Sequence, residues 1–117
     1  MFKTIKGGGV MSRLKLMLCE SLLQGEDNSK SRERLRKEIG VSDRALRNCI
    51  AALRKDGIPV CSNSRNSGYY IAKTNEEIRH FVNENHKKAM VMLHINRKVQ
   101  EGYWKAGYSY NLEDMVK

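Results

Sequence analysis

Residues 31–57 read SRERLRKEIGVSDRALRNCIAALRKDG, and the punctuation of that stretch decides the fold. A short amphipathic helix carries Leu35 and Ile39, Gly40 breaks it, and Val41 fills the corner that follows. Ser42 is placed to cap a second helix through its hydroxyl oxygen, which accepts from backbone N–H groups of the first turn. Along that second helix Leu46, Cys49, Ile50 and Leu53 recur at helical spacing and share one face. The other face carries Arg44, Arg47, Asn48 and Ala51 at steps of three and four. It is too basic to be core, and guanidinium and amide groups suit guanine and adenine edges in a major groove. The stretch predicts a helix-turn-helix whose second helix reads DNA.

Working outward, Ile58-Pro59-Val60-Cys61 predicts a short strand, which Pro59 restricts to an edge or a strand start. The polar run from Asn63 to Gly68 is a turn, and Tyr69 to Ala72 is the return strand. A hairpin directly after a recognition helix is a wing. Upstream, a first helix is expected from Ser12 to Gln24. Its buried stripe would be Leu14, Met17, Leu18, Ser21 and Leu22, and Gly25 would stop it. Residues 1–11 read as a flexible leader, because the consecutive glycines Gly7 to Gly9 lose much backbone entropy on ordering. The expected fold is mainly α with a small β-hairpin: a winged helix-turn-helix over residues 12–73, followed by a long C-terminal helix.

Thr74-Asn-Glu-Glu77 is a capping box ahead of that helix. Neither proline nor glycine interrupts the chain until Gly102, so the helix is expected over residues 74–104, with 105–117 as a tail carrying Tyr108 and Tyr110. Ile78, Val82, Asn85, Ala89, Met92, Asn96, Val99 and Tyr103 alternate steps of four and three, which is a heptad seam. From 89 to 95 the sequence AMVMLHI is apolar around nearly the full circumference, unlike a helix wet on one side. One side is expected to pack on its own domain and the other on a second copy. A homodimer through residues 78–103 follows, with Ile78, Val82, Ala89, Met92, Asn96 and Val99 at its interface.

Composition sets the partner class. The 117 residues carry a formal net charge of +9, and the excess lies almost wholly in residues 1–73. A polyanion is the natural partner. No apolar run is long enough to cross a membrane, and no hydrophobic stretch follows Lys3 and Lys6 as a secretory signal would require. Cys19, Cys49 and Cys61 are scattered and odd in number, which suits small core residues in a reducing cytoplasm. His80, His86 and His94 lack ligand spacing, so neither a metal nor a cofactor is expected. An enzyme is disfavoured, since the sequence shows no nucleophile–base pair and no phosphate-cradling glycine loop.

The DNA-contacting set expected from these patterns is Ser42, Asp43, Arg44, Arg47, Asn48, Arg65, Arg34 and Lys37. Arg44, Arg47 and Asn48 are the base readers. Asp43 either accepts from a cytosine amine or orients Arg47 by an i, i+4 pair. Arg65 stands at the wing tip, where phosphate or minor-groove contact is expected. Arg34 and Lys37 belong to the helix that crosses the backbone and would meet phosphates. Tyr69 and Tyr70 are read as a core residue and a rim residue rather than stacking platforms.

Three segments carry a family resemblance: EIGVSDRALR from Glu38, LRKDGIPV from Leu53, and SGYYI from Ser67. They resemble the winged helix-turn-helix domains of the biotin operon repressor's N-terminus and of small prophage DNA-binding proteins. That resemblance implies cytoplasmic, nucleoid-associated duplex DNA binding in bacterial or phage gene control. It does not extend to a ligase or sensor domain, and the long helix departs from it. A second class of function is a winged helix serving as a protein-docking module, with the long helix as its working part. Such a module has no need of the basic Arg/Asn face, and that face favours DNA.

Overall fold

The computed structural model describes residues 10–63, 65 and 68–107, and these fall into two compact units, Met1–Phe81 and Val82–Lys117. The first unit contains helix α1 (Val10–Ser21), a 3-10 turn (Glu26–Asn28) and strand β1 (Lys30–Ser31). Helices α2 (Arg32–Ile39) and α3 (Asp43–Lys55) follow, then strands β2 (Val60–Asn63) and β3 (Gly68–Ile71). Helix α4 spans Asn75–Lys105.

The turn between α2 and α3 forms as its residues dictate. Ser31 caps α2 by accepting from the Arg34 N–H at 3.1 Å, and Ser42 caps α3 by accepting from the Ala45 N–H at 3.1 Å. Gly40 ends α2 at φ 69°, ψ 44°, the left-handed region that costs glycine least. Val41 packs at the margin of the core, as the corner residue should. Leu46, Cys49, Ile50 and Leu53 of α3 are buried with Leu35 and Ile39 of α2, Leu18 of α1, Leu22 just beyond its end, and Ile58, Val60 and Ile71 from the sheet side.

The sheet has three antiparallel strands in the order β1-β3-β2. Val60 pairs with Ile71 and Asn63 with Gly68 in the hairpin, while Lys30 and Ser31 pair with Tyr69 and Gly68. A strand of two residues is too short to show alternation, and for that reason β1 is invisible in the sequence. Tyr70 is the buried core residue and Tyr69 is half-buried at the rim, the reverse of the expected order.

Helix α1 departs from expectation in its bounds and its phase. It starts at Val10, inside the segment read as a leader, and ends at Ser21 rather than Gln24. Gln24 instead bridges to Ile71, with the Gly25 N–H donating to the Ile71 carbonyl at 2.8 Å and the Ile71 N–H donating to the Leu23 carbonyl at 2.8 Å. Gly25, at φ 90°, turns the chain into that bridge. Met17 is exposed and Lys15 is buried in its place, its ammonium 2.8 Å from the Asp56 carboxylate at the end of α3. A buried ion pair of this kind joins α1 to the end of α3.

Thr74 and Glu77 form the expected capping box. The Glu77 N–H donates to the Thr74 hydroxyl at 3.2 Å, and the Glu77 carboxylate accepts from the Thr74 N–H at 3.3 Å. It also accepts from the Lys73 N–H at 2.7 Å and from the Glu26 N–H at 2.8 Å, which ties the 3-10 turn to the start of α4.

Among the described residues none of α4 is buried. Val91, Met92 and Leu93 are 57 %, 65 % and 57 % exposed. The belt lies beyond Phe81, in the second unit, whose described residues are α4 and its end.

Candidate nucleic-acid interface

Arg44, Arg47, Asn48 and Ala51 are all exposed, and Lys55 extends the same face to the end of α3. That places a row of guanidinium, amide and ammonium groups opposite a core-facing stripe on a helix that both its caps and its burial hold in place. Asp43 lies between two arginines, 2.9 Å from Arg47 and 3.8 Å from Arg32. Of its two expected roles, the geometry carries the orienting one: its carboxylate holds the Arg47 guanidinium and reaches back to the first turn of α2.

The α2 side of the turn has a mixed rim. Arg34 donates to Glu38 at 3.1 Å, and Glu38 also accepts from the Lys30 ammonium at 2.9 Å. The hydrogen bond from Lys30, helped by Arg34, outweighs desolvation and holds the Glu38 carboxyl below its ordinary value. Lys37 faces Glu33 at 3.4 Å with both side chains largely in water, a pair too wet to restrain the lysine. Lys37, Arg36 and Ser42 line one shallow cleft at the start of α3. Arg36 also donates to the Val41 carbonyl at 3.4 Å across the turn.

Arg65 belongs to a different neighbourhood. Its backbone N–H donates to the Asn63 side chain at 2.9 Å, and the buried Asn63 amide donates to the Ser29 hydroxyl at 2.9 Å. The Arg65 side chain is exposed and lines a cleft with Glu26, Asp27, Ser29 and Asn63, not with the α3 residues. Ser64, Asn66 and Ser67 of the wing turn lie outside the described residues.

Arg54 is the joining residue that the sequence pattern misses. Its Nε donates to the Val60 carbonyl at 2.8 Å and its Nη2 to the Ser62 hydroxyl at 3.0 Å. The guanidinium also stands 5.9 Å from the Tyr69 ring centre and 4.9 Å from that of Phe81. One side chain therefore joins the end of α3 to the wing and to the first turns of α4. Its only signal in the sequence is an arginine next to a core leucine, which is not distinctive.

Burial pushes the Cys49 thiol up to about 11 and the Tyr70 hydroxyl up to about 12, so both remain neutral packing groups. All three cysteines are free, with Cys49 and Cys61 buried. Among the described residues no cluster of His, Cys, Asp or Glu could hold a metal, and no helix is long and apolar enough to cross a membrane.

Residues 13–70 match the family model described as an HTH domain, a span that runs from the first turn of α1 to Tyr70 in β3. No curated protein and no solved structure matches the chain.

Proposed function

We propose that this chain, whose residues 13–70 match a family model described as an HTH domain, is a sequence-specific duplex DNA-binding protein that regulates bacterial or phage transcription as a homodimer on the nucleoid. The observation that carries this reading is the exposed row Arg44, Arg47, Asn48 and Ala51 opposite the buried stripe of α3, with Asp43 fixing Arg47. Arg44, Arg47 and Asn48 read base edges in the major groove. Ser42 and Lys37 sit where a phosphate meets the N-terminus of α3, and Arg34 and Arg65 add positioning contacts to the backbone. Ile78, Val82, Ala89, Met92, Asn96 and Val99 form the seam between copies. Two-fold pairing would match two half-sites with two recognition helices. No catalytic role is included in this reading.

Selection of bound sequences from a random duplex pool tests it. An enriched inverted repeat is expected. Enrichment of no sequence, with no binding even at low salt, would transfer the function to protein docking.

A further inference from the structure

We infer that four copies of α4 pack through residues 89–95 as an antiparallel four-helix bundle, so that the DNA-binding unit is a dimer of dimers. This rests on the reading that the heptad seam joins copies of the chain, and it concerns what covers the rest of the belt. With about 100° between successive residues, Ala89 and Met92 mark the seam. Leu93 and Met90 then lie together on one flank, Ile95 and Val91 on the other, and His94 falls opposite the seam. The large apolar members stand in the open: Met90 and Ile95 are 52 % and 53 % exposed, and Val91, Met92 and Leu93 still more so.

A two-stranded coil covers the seam and the inner edge of its flanks. It would leave Met90 and Val91 in water and wet one side of Leu93 and Ile95. A helix in a four-helix bundle has neighbours on both flanks, which is the arrangement an apolar face wider than the seam specifies. The polar residues agree. His80, Lys87, His94 and Glu101 form a continuous polar column opposite the seam, which is the face that such a helix keeps in solvent.

Charge sets the direction. Glu84, Val91 and Lys98 share one flank, a heptad apart. If helices ran parallel in register, one flank would meet the other and set Lys98 beside Arg97 of its neighbour, although each of Glu84 and Lys98 keeps an exposed partner on its own helix, Lys87 at 3.5 Å and Glu101 at 3.6 Å. Antiparallel helices centred on Met92 instead bring Glu84 of one within about a turn of Lys98 of its neighbour, across Val91 and Ile95. Closed two-fold symmetry of this kind is common for tetramers. Four winged domains per assembly suffice for two inverted-repeat sites.

Sedimentation velocity on the full chain tests the inference. The native protein should have about four times its 13.5 kDa chain mass. Met90→Glu with Leu93→Glu closes one flank and should give about twice the chain mass, whereas Met92→Glu should give the single chain. Lys98→Glu should raise the concentration at which tetramers dissociate several-fold, and Glu84→Lys added to it should restore the native value. That rescue does not depend on disturbing the core. A native dimer would overturn the bundle and leave the pairing seam standing, while a native monomer would overturn both. Tetramers that persist in Met90→Glu with Leu93→Glu, or a charge swap without rescue, would also sink the arrangement.

Discussion

Asp43 shows how much one carboxylate can decide at the scale of a residue. Held 2.9 Å from Arg47, its Oδ2 narrows the rotamers that this guanidinium samples. Arg47→Ala or Asn48→Ala should therefore cost about 1–3 kcal/mol on the preferred site and relax specificity there. Arg65→Ala, whose side chain stands apart from α3 beside Glu26 and Asp27, should weaken preferred and scrambled duplexes alike. Fluorescence anisotropy on both duplexes separates the two behaviours. An Arg47→Ala protein with unchanged preference would move base reading elsewhere on the domain. The α3 face was legible because two opposed stripes recur at helical spacing. Lys15 was not, because a lysine reads as solvated surface unless its partner is known, and Asp56 lies far along the chain.

Among the elements, the caps were the most legible: Ser42, Gly40 and the Thr74–Glu77 box act locally and use the residues their geometry requires. The bounds of α1 were not, since the bridge from Gln24 to Ile71 ends that helix early through a contact remote in sequence. The two-residue β1 was hidden for the same reason, as its pairing partners lie in the wing. Glu77 also does more than the box implied. Burial raises its pKa, but the N–H groups of Lys73, Glu26 and Thr74 outweigh that and hold the carboxyl below its ordinary value of 4.5. Because the folded value is depressed, the stabilisation is fully present above the unfolded value and is lost as pH falls through the folded one. Glu77→Gln should therefore melt at a lower temperature than the native chain at neutral pH. The gap should close as pH drops below about 4, and thermal melts across that range would show it. A gap that stays constant in acid would assign the effect to shape rather than charge.

For the whole molecule, the charge distribution carries its own prediction. An assembly making about six to ten phosphate contacts should lose on the order of 10³ to 10⁵ in affinity between 50 and 200 mM salt, as a titration series would measure. A flat response would remove phosphates from the interface. The winged order of elements was readable from turn chemistry and periodicity, but the bareness of the α4 belt was not, because an apolar helix announces that it is covered without saying by what. Arg54 has a consequence that reaches beyond its own neighbourhood. In the order β1-β3-β2 the strand β2 is an outer one, and the Arg54 fork occupies its Val60 carbonyl. An open outer strand is a template on which another chain can grow a sheet, and charged side chains are among the devices that prevent it. Arg54→Ala should therefore shorten the lag before the protein forms thioflavin-binding fibrils on mild heating, while Arg54→Lys, with an ammonium in place of the fork, should protect only in part. If Arg54→Ala aggregates no faster than the native chain, some other group guards that strand. On this view the arginine that joins the reading head to its wing also keeps one molecule from becoming the seed of many.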